Sequence, residues 1–396
     1  MIPYYSPHFS VADLLKTIFC KNAEDKLCNY FKKLTGKKYV LITSSCRSAL
    51  YLAYQSIEKK GIVHTSPLTC KVSLLPIIAS GNQIYFNDIK KDDWTIDPST
   101  IPASISKKSV AIQAIHFGGF PCDMRSLRKI ANDYKLILIE DCAQGFGSFN
   151  NKIISGSFGD ISCFSLTKNL YGIGGGIFAT NNEEWFNKAQ KIQMSFPREK
   201  YYKIFYRILS SALLSSNLFI IYNVLKKINY IYVSIYHHLN NNIKNQMSVE
   251  LRKELIKPPR LYSKYFVVRL QKMLKLIDKR KSIANLIKIQ LNKSKYIFQY
   301  SDNNISSYAK LYTVNQDYQS VNLIRLLRKD GIECMHLSHK FGELYQKKLI
   351  PQFEIDRKAY KNYSLIHDNL LSIPLNESMT AELLNKMISI LKRRGI

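Results

Sequence analysis

Two side chains at the end of one apolar run, and an amine at the end of another, carry the chemistry that this sequence suggests. Residues 136–140 read Leu-Ile-Leu-Ile-Glu, a buried-looking strand that delivers Asp141 and Gln144 at its carboxyl end. A carboxylate there is costly unless a cation or a metal offsets its desolvation. Residues 160–165 form a second apolar run leading into Ser165, Thr167 and Lys168, with Gly172, Gly174, Gly175 and Gly176 behind. A lysine held just past a strand, with hydroxyls beside it and glycines behind it, suits two uses. It can bind phosphate together with hydroxyls and backbone N–H groups. It can also form a Schiff base when partial desolvation and nearby positive charge make its amine easier to deprotonate. On periodicity alone, an ordinary surface lysine is the more frequent outcome of such a pattern. The glycine run is no dinucleotide fingerprint, because it follows rather than opens a βαβ unit and lacks the GxGxxG spacing.

The elements needed to position these groups are legible as alternating strands and helices. Apolar runs at 39–43, 61–65, 83–87, 109–115, 135–140, 160–165 and 175–180 read as strands. Helical spacing falls at 44–59, 72–79 and 123–134. Short apolar strands separated by helices predict an α/β fold with a mainly parallel sheet covered on both faces. In such sheets ligands sit outside the carboxyl ends of the strands. After residue 240 the character changes. A long basic amphipathic helix is expected over 268–291, strands at 308–314, 332–336 and 372–374, and helices at 320–330 and 380–393, the last capped by Ser378 or Thr380. The expected division is a large domain over 1–249, with an apolar helical insert at about 201–240, and a small α/β domain over 250–396.

Composition narrows the function classes. With 396 residues, 46% of them hydrophobic, the chain can build sizeable cores and is neither collagen-like nor wholly disordered. Eight cysteines are scattered without a CxxC pair, which argues against a disulfide framework or a cysteine-built zinc site and fits a reducing compartment. No metal is expected. The formal net charge is +29, and residues 251–295 alone carry 14 Lys/Arg against Glu254 and Asp278. Such a chain attracts something negative, but solvated lysine-rich helix faces produce the same excess. No compact recognition module or aromatic-basic strand pattern stands out, so nucleic acid is not an expected partner. The opening residues lack a basic region followed by a long apolar run. Residues 208–225 are uncharged and barely long enough to span a bilayer. The 201–239 segment reads as a helical pair, either buried against the body or laid on a membrane surface.

An ordered set of motifs adds a resemblance. It comprises 44–50 (Ser-Ser-Cys-Arg-Ser-Ala-Leu), 67–70 (Pro-Leu-Thr-Cys), 84–88, 116–119 (His-Phe-Gly-Gly), 140–144 (Glu-Asp-Cys-Ala-Gln), 157–160 (Ser-Phe-Gly-Asp), 164–168 (Phe-Ser-Leu-Thr-Lys) and 174–176 (Gly-Gly-Gly). Together these resemble the DegT/DnrJ/EryC1/StrS sugar aminotransferases, which have the pyridoxal-phosphate fold of aspartate aminotransferase. Residues 327–332 and 371–375 resemble that family's closing segments.

The resemblance implies pyridoxal 5′-phosphate as cofactor, with pyridoxamine phosphate as its aminated form. Lys168 matches the lysine that holds the cofactor as a Schiff base and then shuttles a proton. Asp141 matches the acid facing the pyridine nitrogen. Gln144 matches the polar residue near the ring and its 3′ oxygen, and Ser165 matches a phosphate ligand. The backbone of Ser45, Cys46 and Arg47 matches a helix N-terminus offering N–H donors to phosphate. Thr69 and Cys70 match the loop supporting the ring face, and His116 falls in a motif close to the cofactor. The implied reaction is transamination of a keto sugar, nucleotide-linked, from glutamate, by a homodimer with shared active sites. The implied setting is a surface-glycan or related amino-sugar pathway in the cytoplasm, with the 201–240 segment as a route to the inner face of the membrane. A sugar dehydratase of the same fold, or a non-catalytic regulator, are the alternatives.

The departures from the family pattern are specific. Ser45-Cys46-Arg47 stands where Ser-Gly-Thr is common, and Cys70 stands where an aromatic often stacks. The asparagine by which a partner subunit commonly reaches the phosphate is not evident near residues 257–260, where Arg260 is the candidate substitute. Lys168 is retained, unlike the histidine of deoxygenating relatives.

Overall fold

The computed structural model describes residues 2, 10–169, 172–215, 251–291, 295–301, 304–316, 320–336, 359–375 and 379–394. The first sheet is built from β1 (Tyr39–Thr43), β2 (Ile62–Thr65), β3 (Gln83–Phe86), β4 (Ser109–Ile115), β5 (Ile137–Cys142), β8 (Ile161–Ser165) and β9 (Gly176–Thr180). Its order is β1-β9-β8-β5-β4-β2-β3. Strands β3, β2, β4, β5 and β8 pair in parallel. Only β9 runs against its neighbours β8 and β1.

Helices cover both faces, so the central strands are apolar in both directions. Ala111, Ile139, Ile161, Cys163 and Phe178 point to one side, where they pack with α3 (Cys46–Ser56), α4 (Lys71–Ala79) and α6 (Glu183–Met194). Their alternates take the other side. Ile112, Ala114 and Leu138 meet α5 (Met124–Asp133), while Cys142, Phe164 and Ile177 meet Leu27 and Phe31 of α2 (Ala23–Thr35).

A second sheet, β10 (Tyr296–Phe298), β12 (Leu311–Asn315), β14 (Leu370–Ile373) and β13 (Met335–His336), is antiparallel in that order. Three short strands, β11 (Asn304–Ile305), β6 (Phe149–Asn150) and β7 (Ile153–Ile154), form a small third sheet between the two bodies. The helix Arg260–Leu291 spans both cores. Phe266, Met273 and Ile277 belong to the first, and Ile283, Ala284, Ile287 and Leu291 belong to the second with helices Ser320–Lys329 and Ala381–Arg394. At 1.5 Å per residue it is about 48 Å long. It begins eight positions earlier than its basic periodicity indicated, because Tyr262, Tyr265 and Phe266 supply a buried first turn. Thr380 caps the last helix, its Oγ1 accepting from the Leu383 N–H at 3.2 Å.

Of the apolar insert, α7 (Tyr201–Ser215) is described and residues 216–250 lie outside the described residues. α7 is amphipathic. Ile208 packs with Ile173, Tyr262 and Tyr265, whereas Tyr202, Phe205 and Tyr206 are exposed. Among the described residues no helix is long and apolar enough to cross a membrane. At the amino end Ile2 bridges to Ile332, and α1 (Val11–Phe19) is tied to the long helix by Asp13, 3.2 Å from Arg269.

Candidate active site

The carboxyl ends of β4, β5 and β8 open into a cleft of about 820 Å³ between the first sheet and the edge of the second. The period-two alternation of strands decides what reaches it. On β5, Ile139 faces α3 and α4, so Asp141 faces the same way and Glu140 faces the opposite way. On β8, Cys163 and then Ser165 share that side. Asp141 therefore lies within the last turn of pleat of β5, not beyond it as the 135–140 reading placed it; the strand continues because β4 and β8 both pair with it through Asp141.

Asp141 is buried at the cleft wall and takes donors on both oxygens. Oδ1 accepts from the Ala143 N–H at 3.0 Å and from the Cys46 thiol at 3.8 Å. Oδ2 accepts from the Ser73 hydroxyl at 2.6 Å and from the Gln113 amide at 3.3 Å. Burial, reinforced by the Asp141 charge, pushes the Cys46 thiol well above its ordinary range, so it stays protonated and can donate. No cation pairs with Asp141 among the described contacts; four neutral donors do that work.

Lys168 lines the same cleft, close enough to Cys46 to bear on its titration. Its side chain is exposed to the cleft, not desolvated as a Schiff-base lysine was expected to be. The strand end behind it is buried, but the space in front is the open cleft that a ligand would fill. Ser165 and Thr167 sit in the turn after β8, their hydroxyls 3.0 Å apart, and both line the cleft.

Opposite them, Ser45 caps α3, its Oγ accepting from the Ser48 N–H at 3.2 Å. The first N–H groups of a helix have no intrahelical partner and favour anions. The glycines explain how these two ends meet. A Cβ on Gly176 would lie 2.3 Å from the Ser45 carbonyl carbon, and Gly175 has φ +103° with a bridge to Ser45. No other residue lets β9 begin against the start of α3.

The remaining expected residues divide. Gln144 lines the cleft with Oε1 accepting from the Gly118 N–H at 2.7 Å, which leaves its Nε2 as the donor for a ligand. Arg47 lines the cleft and pairs with Glu254 at 3.8 Å. Thr69 and Cys70 line it at the start of α4. His116 forms part of the wall, but its ring nitrogens are engaged: Nδ1 accepts from the Cys122 N–H at 3.2 Å, and Nε2 faces Glu140 at 3.0 Å. Only its ring surface is available to a ligand. Arg260 is not among the lining residues.

Several lining groups have no signal in the local pattern. Arg207 comes from α7, held by Tyr262 and by Glu199 at 3.4 Å, while Tyr312, Met335 and Ile373 come from the second sheet and Lys310 from the residue just before β12. Gln113 had a signal, a lone amide within the apolar strand Ser109–Ile115.

The donor set matches the chemistry of pyridoxal phosphate. A buried carboxylate suits a protonated pyridine nitrogen, an accessible amine suits its aldehyde, and two hydroxyls beside a helix N-terminus suit its phosphate.

Comparison with known proteins finds similar sequences over the first half of the chain and similar folds over nearly all of it. Residues 15–209 match the model of the DegT/DnrJ/EryC1/StrS aminotransferase family, just under half of the chain. It is 33% identical over 171 residues to the spore coat polysaccharide biosynthesis protein SpsC of Bacillus subtilis, a stretch covering 41% of this chain and 43% of that one. It is 32% identical over 176 residues to the UDP-4-amino-4,6-dideoxy-N-acetyl-beta-L-altrosamine transaminase of Campylobacter jejuni, covering 43% and 46%. The matching stretch thus spans less than half the length of these relatives. In structure the chain resembles PseC of Helicobacter pylori, an aminotransferase involved in the biosynthesis of pseudoaminic acid, with a TM-score of 0.73 at 16% identity over 100% of this chain and 99% of that one. That likeness establishes the fold: a large, mainly parallel sheet domain of the aspartate-aminotransferase type with a smaller α/β partner.

Proposed function

We propose that this chain is a pyridoxal-phosphate-dependent aminotransferase that moves an amino group from glutamate to a keto sugar carried on a nucleotide, for amino-sugar or surface-glycan synthesis. The observation that carries the reading is the meeting of Lys168, Asp141 and a hydroxyl-plus-helix-terminus cradle in one cleft. The match of residues 15–209 to the aminotransferase family supports the class of chemistry, and the names of SpsC and of the Campylobacter transaminase point to sugar substrates.

When bound, the cofactor supplies an electron sink for carbanion chemistry and a carrier for the amino group. The residues divide the remaining work. Asp141 holds a proton on the ring nitrogen, and its four neutral donors keep its oxygens directed. Ser165, Thr167 and the amides at Cys46 and Arg47 grip the phosphate, which frees Lys168 to act without loss of the cofactor. Lys168 first anchors the cofactor, then takes the proton from the α-carbon of the donor. In the second half-reaction it delivers a proton to the carbon that was the sugar ketone. Arg47, Arg207 and Lys310 place positive charge around the mouth, suited to a diphosphate. A second copy of the chain completes the site, and α7 with the segment after it offers contact to the inner membrane face.

The test is amino transfer by purified protein supplied with pyridoxal phosphate, glutamate and a panel of nucleotide-linked keto sugars. The expected products are 2-oxoglutarate and an amino sugar, with Lys168→Ala losing at least a thousandfold in rate. Release of a deoxygenated sugar without 2-oxoglutarate would identify a dehydratase instead. A bound cofactor with neither product would point to a regulator.

A further inference from the structure

From Asp141 and Ser73 at the cleft wall, a line of buried polar groups runs back through Gln113 to Tyr54, across the apolar layer between the sheet and α3. Tyr54 on α3, Gln113 on β4 and Ser73 on α4 are all buried, as is Asp141. The bonds run in one direction. The Tyr54 hydroxyl donates to Gln113 Oε1 at 2.8 Å. Gln113 Nε2 donates to Ser73 Oγ at 2.7 Å and to Asp141 Oδ2 at 3.3 Å. Ser73 donates to the same Asp141 oxygen at 2.6 Å. Placing polar groups here is costly compared with the aliphatic side chains around them, so their retention asks for a return beyond packing.

We propose that Tyr54 and Gln113 are positioning residues that fix Asp141 as an oriented acceptor, and through it the protonation of the pyridine nitrogen of the bound cofactor. The amide of Gln113 sets the direction of the chain of bonds. Its two ends differ only in that Oε1 accepts and Nε2 donates. Burial holds the Tyr54 hydroxyl protonated, and its proton goes to Gln113 Oε1 at 2.8 Å, which sets that end of the amide toward Tyr54. With that end fixed, Nε2 faces Ser73 and Asp141. Ser73, having accepted from Nε2, turns its own proton toward Asp141. Reversing the amide would set Oε1 against a carboxylate oxygen and remove a donor from each of two partners. The other titratable neighbours cannot replace this control: burial keeps Cys46, Cys142 and Cys163 as thiols, and Lys168 lies on the cleft side.

This inference rests on the reading of Asp141 as the partner of the cofactor ring. It is tested on holoenzyme loaded with pyridoxal phosphate labelled with ¹⁵N in the ring, by the nitrogen chemical shift of wild type, Tyr54→Phe and Gln113→Leu at one neutral pH, with a thermal melt of each. The expected result is a protonated ring nitrogen in wild type and a shift toward the unprotonated position in both variants, larger in Gln113→Leu. The glutamate half-reaction should slow roughly tenfold in Tyr54→Phe, the scale of one lost hydrogen bond acting on a charged group. Variants that melt earlier but keep the wild-type nitrogen shift would overturn the proposal and leave Tyr54 and Gln113 as structural groups. Should Gln113→Leu fail to fold, Tyr54→Phe, which removes one hydroxyl, decides the matter alone. A wild-type protein that takes up no cofactor would instead refute the reading beneath it.

Discussion

Glu140 and Asp141 are neighbours in sequence and opposites in environment. Strand alternation sends Asp141 to the cleft and Glu140 to the far face, where His116 at 3.0 Å and the N–H groups of Gly156, Phe158 and Gly159 enclose its carboxylate. Burial alone would raise the Glu140 titration, but the bonds from His116 and the glycine amides outweigh it and hold the group below the ordinary carboxylate range. A carboxyl depressed in the folded state adds stability above its unfolded pKa, and that contribution is lost as pH falls through the lowered folded value. Glu140→Gln should therefore cost about 3 kcal/mol at neutral pH, and its stability should fall less steeply on acidification than that of wild type. Chemical denaturation at neutral and acid pH measures both. At this scale the sequence was informative about type and silent about direction. An apolar strand ending in two acids announces a site, yet which acid serves it follows from parity with Ile139. Gln113 left a mark that went unread, a lone amide in an apolar strand, whereas Tyr54 and Ser73 lie on helices where such residues are ordinary.

The elements that hold the site together meet through close backbone approach. β9 starts where α3 starts, and Gly176 permits it by having no side chain to strike Ser45 and Cys46. Gly176→Ala must displace the first turn of α3. The expected result is about 1–3 kcal/mol of lost stability and a several-fold weaker hold on pyridoxal phosphate, read by thermal melting and by cofactor titration. The strands of the first sheet were legible to within a residue or two because each is a short apolar run. The reversal of β9 was not, since an isolated strand carries no mark of direction. The strand expected over 332–336 is only Met335–His336, and the one expected over 308–314 is Leu311–Asn315. Strands at the edge of a small sheet carry a weaker apolar signal than those buried on both faces. Tyr308, with φ +47°, turns the chain before β12 can begin.

Across the whole molecule, one long helix ties two cores into a body with a cleft between them. Because Arg260–Leu291 packs in both, β12 and the residue before it present Tyr312 and Lys310 to residues of the first sheet that lie far away in sequence. No local pattern reports such a meeting, which is why the motifs around Lys168 and Asp141 were readable and the opposite wall was not. Arg47, Arg207 and Lys310 bring part of the +29 charge to the cleft, Arg47 beside Glu254 and Arg207 beside Glu199, while the buried Asp141 is engaged by neutral donors. The central claim is that a cofactor aldehyde bonds to one particular amine. Borohydride reduction of the protein incubated with pyridoxal phosphate, followed by peptide mass mapping, tests it most directly. The expected result is a single stoichiometric adduct on Lys168. An adduct spread over surface lysines, or none on the peptide containing Lys168, would contradict it.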